Sequence, residues 1–267
     1  MSQPLRGRVL SIAGSDPGGG AGLQADVKTI TALGGYAMTA VTAVTVQNTL
    51  GVLAVHPVPP DVVDLQIEAV VTDLGVDAIK TGMLGSARVV EVVARRLRSL
   101  GGAVPIVVDP VLASGSGTSL LDPSGRRALL GSLLPLATLV TPNAPEAELL
   151  TGFPVRDEAG MEHAAERLLL AGAEAVLVKG GHIEGPAVVD LLRTADGLSL
   201  RFESERIRTG PLHGTGCTLA SAIAVGLAEG LTLEGAILEA RAFVADAIRS
   251  APRYGEGASP LNHACRR

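Results

Sequence analysis

The sequence predicts an α/β fold: a mostly parallel central sheet with helices on both faces. Short β-branched or aliphatic runs alternate with longer segments of helical pattern, and this alternation is typical of parallel sheets that helices cover. Glycine-rich and polar segments follow the runs, at the sheet edge where such folds bind ligands. No low-complexity linker divides the 267 residues, so we expect one domain over residues 1–267.

The elements follow in order along the chain. Strands are predicted at residues 9–13, 37–46, 78–80, 106–109, 138–141 and 176–179, and helices between them at 22–33, 61–74, 87–100, 123–133 and 161–171. Residues 53–58 interrupt the alternation as a small edge strand or flap. Residues 188–207 contain Ala195-Asp196-Gly197, which indicates a hairpin. Two helices, at 215–229 and 233–250, complete the predicted chain.

Composition argues against several classes of protein. The net charge of −5 is unfavourable for a protein that binds the phosphates of nucleic acids, and five Phe and Tyr with no Trp provide few rings for stacking on bases. Two cysteines, Cys217 and Cys265, are too few for a disulfide framework or a zinc site. The sequence contains neither a signal-peptide pattern nor an apolar run of about 18 residues. We therefore expect a soluble, cytoplasmic protein that contacts neither nucleic acid nor membrane.

Each predicted strand is followed by a segment rich in polar residues or glycine. In chain order these are GSDPGGGAG, TVQNT, KTGM, DPV, TPNAPE and KGG. Because the carboxyl ends of parallel strands meet at one edge of the sheet, the segments predict a single active site there. The glycines do not match the dinucleotide fingerprint, because Leu23 stands where its third glycine is required. They do not match a P-loop either, and the sequence contains no G-x-S-x-G nucleophile elbow.

The segment Gly214-Thr215-Gly216-Cys217 stands where an apolar helix begins. Successive backbone N–H groups at a helix start, together with the helix dipole, form a site for phosphate or for developing negative charge. A plain tight turn would explain the glycines equally well. A cysteine at a helix N-terminus is expected to have a depressed pKa, so Cys217 could act as a base or as a nucleophile.

Three charged residues at other strand ends could complete a site for phosphoryl transfer. Lys179 could contact phosphates, whereas Asp109 and Glu146 could hold Mg²⁺ directly or through water. Phosphoryl transfer depends mainly on such positioning and charge neutralisation. Each residue alone is weak evidence, because a strand-end Lys or Asp is more often a surface or capping group. The prediction rests on their convergence.

Seven segments resemble, in order and spacing, those of hydroxymethylpyrimidine/phosphomethylpyrimidine kinases, which are thiamin-biosynthesis enzymes of the ribokinase-like superfamily. The segments are AGSDPGGGAGLQADVKT, TAVTVQNT, KTGMLGS, VVDPVLASGSG, TPNAPEAELL, VLVKGGH and HGTGCTLASAIA. The likeness extends over residues 9–263. It implies a ribokinase-like fold, ATP as co-substrate with Mg²⁺, and a homodimer. It also implies two successive reactions: ATP phosphorylates 4-amino-5-hydroxymethyl-2-methylpyrimidine, and the monophosphate is then phosphorylated to the diphosphate.

The resemblance also implies roles for individual residues. Gln47 matches a glutamine that hydrogen-bonds the pyrimidine edge, for which a carboxamide offers donors and an acceptor. Asp26, Met83 and Gly14 match other positions of the substrate pocket. The remaining matches lie where phosphate and metal bind in the family. Asp109, Asn143 and Glu146 match the Mg-phosphate region, and Lys179 matches a lysine that contacts phosphate. The anion hole is matched by Gly214, Thr215 and Gly216.

Cys217 stands where many ribokinase relatives carry an aspartate base. We therefore expect Cys217 to take the proton of the substrate hydroxymethyl group as that group attacks the γ-phosphate. The nearest alternative is a pyridoxal kinase of the same family, because both substrates are small aromatic rings with a hydroxymethyl group. Two further alternatives are a Cys–His hydrolase using Cys217 and His213, which would lack an evident orienting residue, and a vitamin-binding protein without catalysis.

Overall fold

The computed structural model describes residues 7–115 and 117–265. A nine-stranded sheet has the order β3-β2-β1-β4-β5-β6-β7-β8-β9. The strands are β1 (Arg8–Ser15), β2 (Tyr36–Asn48), β3 (Gly51–Pro57), β4 (Ala78–Thr81), β5 (Ile106–Val108), β6 (Leu139–Val140), β7 (Ala175–Lys179), β8 (Ala187–Thr194) and β9 (Ser199–Glu205). The six strands from β2 to β7 in this order are parallel. The predicted flap is β3, antiparallel to β2, and the predicted hairpin is β8 and β9.

Eight α-helices lie among the described residues. They are α1 (Gly22–Ala32), α2 (Pro60–Asp73), α3 (Ala87–Arg98), α4 (Pro123–Ala128), α5 (Ala144–Thr151), α6 (Glu158–Leu170), α7 (Thr215–Ala228) and α8 (Leu233–Arg249). The helix predicted at 123–133 ends early, because a π-helical turn, Leu129–Leu133, follows α4. Two further strands form a short parallel ribbon: β10 (Leu212–His213) precedes the last two helices, and β11 (Ser259–Pro260) follows them.

Alternate residues of the central strands point to opposite faces of the sheet, as strand geometry requires. Val9 and Val107 pack with α7 and α8 in one core, whereas Leu10 and Val108 pack with α3 and α6 in the other. Both faces of the sheet are therefore covered, which confirms the predicted α/β architecture. Within residues 7–115 and 117–265, none of the helices combines the length and the apolar character needed to cross a bilayer.

Helix α5 differs from the sequence prediction, which placed no helix between residues 133 and 161. Asn143 is the N-cap residue, its side chain accepts a hydrogen bond from the N–H of Glu146, and the Glu146 carboxylate accepts one from the N–H of Asn143. This capping box begins a helix of eight residues. The two predicted phosphate-region residues are therefore also structural, since they fix the start of α5.

Candidate active site

Two adjoining cavities open at the carboxyl ends of the parallel strands. The first has a volume of about 390 Å³ and the second about 530 Å³. All of the predicted site residues except Asp26 line the first cavity: Gly14, Gln47, Met83, Asp109, Asn143, Glu146, Lys179, Gly214, Thr215, Gly216 and Cys217. The wall common to both cavities includes Asn143, Lys179, Thr215 and Gly216. The carboxyl edge of the sheet thus brings together residues as far apart in sequence as Gly14 and Cys217.

Irregular pairing in β1 and β2 shapes one side of the first cavity. The register between β1 and β2 shifts at Gly14, and the register between β2 and β3 shifts at Gln47. Such irregularities re-aim side chains at the rim of a sheet. A Cβ at Gly14 would lie 3.1 Å from the sulfur of Met83, so glycine keeps space open between these two lining residues.

The start of α7 forms the wall between the cavities. Gly214 is its N-cap residue with φ of 84°, and a Cβ there would overlap the carbonyl oxygen of Gly20. Because Gly214 has no side chain, it makes no capping hydrogen bond to the first turn, so the backbone N–H groups there can bind an anion, as the sequence predicts. A Cβ at Gly216 would lie 3.0 Å from Nζ of Lys179, which places this ammonium group against the first turn.

Cys217 lies in the first cavity, but its ionisation differs from the prediction. Burial raises the pKa of the Cys217 thiol to about 12, and the charges of Asp109 and Asp26 add to this effect. The Lys80 ammonium opposes the increase. The expected depression of the pKa is therefore wrong: the helix N-terminus favours a thiolate, but loss of hydration outweighs that contribution.

Asp26 is the one predicted site residue that does not line the first cavity. Its side chain has no exposed surface and forms an ion pair with Lys80, with Nζ to Oδ distances of 2.9 and 3.0 Å. The hydroxyls of Ser11 and Ser221 also donate to this carboxylate. Lys80, which sequence reasoning did not select, lines the cavity instead.

Lys179, Asp109 and Glu146 form a charged cluster beside α7. Nζ of Lys179 lies 3.1 Å from Oδ1 of Asp109. Burial alone would lower the pKa of Lys179, but the charges of Asp109 and Glu146 raise it above its usual value. Burial raises the pKa of Glu146 to about 7; Lys179 opposes this increase and Asp109 adds to it.

The two carboxylates of this cluster fit a Mg²⁺ ion that also takes phosphate oxygens as ligands. Both line the first cavity, and the negative charge of Asp109 disfavours ionisation of Glu146, so a nearby cation would stabilise the ionised form. Among the described residues, no group of three or more His, Cys, Asp or Glu has metal-site geometry. Such a donor set suits Mg²⁺, which keeps water and ligand oxygens in its coordination sphere.

Sequence reasoning also missed a polar network in the wall of the first cavity, formed by Gln47, His213 and Asp16. The Gln47 carboxamide lies 2.6 Å from Nε2 of His213, and the same nitrogen lies 3.3 Å from Oδ2 of Asp16. Burial would raise the pKa of Asp16, but hydrogen bonds from His213 and from the N–H groups of Ala21 and Gly18 lower it below its usual value. His213, considered in the sequence only as a hydrolase partner, therefore contacts Gln47.

The second cavity was not predicted, because the residues that line it beyond the shared wall carry no motif. Ile207, Leu219, Val244 and Ile248 give it an apolar wall between the β8–β9 hairpin and α8. His182 lines both cavities, and burial lowers its pKa, with the charges of Lys179 and Arg206 adding to the effect. A cavity with an apolar wall on one side and the anion-binding start of α7 at its end suits a ligand with a flat base and an anionic tail.

Known proteins match this chain over most of its length. A family model described as phosphomethylpyrimidine kinase matches residues 16–262. Hydroxymethylpyrimidine/phosphomethylpyrimidine kinase of Mycobacterium tuberculosis is 52% identical over 257 residues, which are 96% of this chain and 93% of that protein.

Two solved structures extend the comparison to the fold. An ADP complex of Bacillus subtilis pyridoxal kinase has a TM-score of 0.89 and 34% identity, and the match covers 97% of each chain. Phosphomethylpyrimidine kinase from Clostridium difficile has a TM-score of 0.80 and 38% identity, covering 90% of this chain and 99% of that one. These likenesses confirm the ribokinase-like fold.

Proposed function

The chain belongs to the phosphomethylpyrimidine kinase family, and we propose that it performs two phosphorylations in thiamin biosynthesis. In the first, the γ-phosphoryl group of ATP passes to 4-amino-5-hydroxymethyl-2-methylpyrimidine. In the second, another ATP phosphorylates the monophosphate to the diphosphate. The proposal treats residues 1–267 as one kinase domain, and includes the homodimer and the cytoplasmic location that the sequence resemblance implies.

The observation that carries this proposal is the wall shared by the two cavities. Thr215, Gly216 and Lys179 border both chambers, so a phosphoryl group held at the start of α7 is accessible from either side. The first cavity contains Gln47, Met83 and Cys217 and suits the alcohol. The second suits the nucleotide, and the related Bacillus subtilis pyridoxal kinase binds ADP.

The wall supplies the charge stabilisation that the transfer requires. The substrate oxygen forms a bond to the γ-phosphorus while the bond to the bridging oxygen of ADP breaks. Negative charge on the transferring group is stabilised by backbone N–H groups of the uncapped first turn of α7 and by the Lys179 ammonium. Asp109 and Glu146 would hold Mg²⁺, which neutralises phosphate charge when it is bound.

Cys217 is proposed as the base for the first reaction. It takes the proton of the attacking hydroxyl, while ADP leaves with the electron pair of the broken bond. Because burial raises the pKa of the thiol, Cys217 must first lose its own proton, so turnover of the alcohol should increase with pH. In the second reaction the acceptor is a phosphate that is ionised near neutral pH and needs less help from a base.

Phosphorylation of pyridoxal is the second candidate, because Bacillus subtilis pyridoxal kinase is similar in structure to this chain at 34% identity. Gln47 favours the aminopyrimidine, since its carboxamide can pair with adjacent donor and acceptor atoms. The test compares kcat/KM for the pyrimidine alcohol and for pyridoxal at saturating Mg-ATP. The proposal predicts a higher value for the pyrimidine, whereas a higher value for pyridoxal would favour the second candidate.

A further inference from the structure

The orientation of the Gln47 carboxamide can be inferred from its neighbours. The two ends of a carboxamide have the same shape but opposite hydrogen-bonding character, so the surrounding donors and acceptors decide which end faces where. In the structure, Oε1 of Gln47 lies 3.4 Å from Oγ1 of Thr45, and Nε2 lies 2.6 Å from Nε2 of His213. Both contacts constrain the amide.

Thr45 requires a donor from Gln47. Its hydroxyl already donates to the carbonyl oxygen of Ser15 at a distance of 2.7 Å. A hydroxyl has a single hydrogen to donate, so toward Gln47 the Thr45 oxygen can only accept. The end of the amide that faces Thr45 must therefore be the NH₂ group, because a carbonyl oxygen there would meet a second lone pair.

His213 requires an acceptor from Gln47. Nε2 of His213 lies 3.3 Å from Oδ2 of Asp16, and the Asp16 carboxylate accepts hydrogen bonds from the N–H groups of Gly18, Gly20 and Ala21. Three donors favour the ionised carboxylate, which would repel a lone pair on Nε2, so Nε2 is expected to carry the hydrogen. With the NH₂ group of Gln47 at this position, two N–H donors would face each other across the 2.6 Å contact. The carbonyl oxygen of Gln47 must therefore face His213.

Thr45 and His213 therefore both require the Gln47 amide to be rotated by a half-turn from the orientation in which Oε1 faces Thr45 and Nε2 faces His213. We propose that His213 is a positioning residue that holds Gln47 with its carbonyl oxygen toward the imidazole and its NH₂ group toward Thr45. One N–H donor and one carbonyl lone pair then remain side by side for the ligand, since the amide offers two of each. This pair matches a ring nitrogen beside an amino group. The inference rests on the proposed function, because it deepens how the same cavity selects an aminopyrimidine.

The tautomer of His213 gives a test that requires no substrate. In free, ¹⁵N-histidine-labelled protein at pH 8, we expect a hydrogen on Nε2 of His213, which is identified as the imidazole signal lost in both His213→Phe and His213→Gln. An Nε2 without hydrogen would overturn the proposal, because the Gln47 amide would then donate to it. The outcome does not depend on which alcohol the protein phosphorylates, so this test and that of the proposed function can fail separately.

Kinetics test the consequence for specificity. His213→Phe removes the donor, and we expect KM for the pyrimidine alcohol to increase about tenfold to a hundredfold while kcat changes little. His213→Gln retains an N–H donor and should recover most of the loss. His163→Phe is the matched control, because this exposed histidine lies on α6, where its ring contacts Phe153. An unchanged KM in a folded His213→Phe protein would contradict the proposal.

Discussion

The ammonium group of Lys80 lies 2.9 Å from the carboxylate of Asp26, and neither side chain has exposed surface. This pair joins β4 to α1. It also reaches α7, because Ser221, one helical turn after Cys217, donates to the same carboxylate at 2.7 Å. With Ser11 of β1, which also donates to Asp26, four elements hold in place the positive charge that opposes the high pKa of Cys217.

Lys80→Met should strongly destabilise the protein, because it leaves the Asp26 carboxylate buried and unpaired. We expect the free energy of unfolding to fall by about 3 to 5 kcal/mol, measured by urea denaturation. The double variant Lys80→Met/Asp26→Leu removes both charges and should recover most of that loss. A single variant as stable as the wild type, or a double variant less stable than the single one, would contradict this account.

Cys217→Ala should decrease kcat for the pyrimidine alcohol by about 10² to 10⁴ and should decrease the second phosphorylation less. With wild-type protein, kcat for the alcohol should increase with pH above 7, because the pKa of the thiol is raised to about 12 and the thiolate fraction grows with pH. Steady-state kinetics on each acceptor from pH 7 to 9 measure both effects. Cys265→Ala is the control, and turnover of the alcohol by Cys217→Ala at the wild-type rate would remove the base assignment.

Glu146 should make the free protein less stable as the pH rises. Its pKa of about 7 in the fold lies above the value of 4.5 for an unperturbed glutamate, so the native state retains a proton that the unfolded chain has lost. Ionisation of Glu146 between about pH 4.5 and 7 therefore costs stability. Glu146→Gln keeps an acceptor for the N–H of Asn143 but cannot ionise.

Urea unfolding at pH 5 and at pH 8 measures this effect. Between these values the wild type should lose about 1 to 3 kcal/mol more stability than Glu146→Gln. Glu148→Gln, on the same helix, should follow the wild type. Identical losses for the wild type and Glu146→Gln would show that the carboxyl group is not protonated in the fold.

The second cavity should bind the nucleotide. Ala245 on α8 lines this cavity and not the first, so Ala245→Trp should raise KM for ATP by roughly tenfold or more through steric exclusion and should leave KM for the alcohol unchanged. Leu238→Trp, at an exposed position of the same helix, is the matched control. An increase in KM for the alcohol alone would reverse the assignment of the two cavities.

Much of this architecture could be predicted from the sequence because it depends on local patterns. The alternation of strand and helix patterns predicted the parallel sheet. The segments after the strands converge because parallel strands end at one edge. Helix α5 was missed although Asn143 and Glu146 have capping-box spacing, since eight residues show little periodicity.

The errors concern properties that depend on contacts between distant parts of the chain. Asp26 and Lys80 are 54 residues apart, and the sequence does not reveal that they form a buried ion pair. Gln47 and His213 are 166 residues apart. For Cys217, the position at a helix start was predicted correctly, but the extent of burial, which decides its pKa, is a property of the packed structure.

The most direct test of the kinase assignment is a time course with purified protein, Mg-ATP and 4-amino-5-hydroxymethyl-2-methylpyrimidine, in which the products are separated by ion-exchange chromatography. We expect the monophosphate to appear first and then to be converted to the diphosphate, with one ATP consumed for each phosphoryl group transferred and none without the pyrimidine. If ATP is not consumed, or if pyridoxal is phosphorylated while the pyrimidine is not, the assignment as a pyrimidine kinase is wrong.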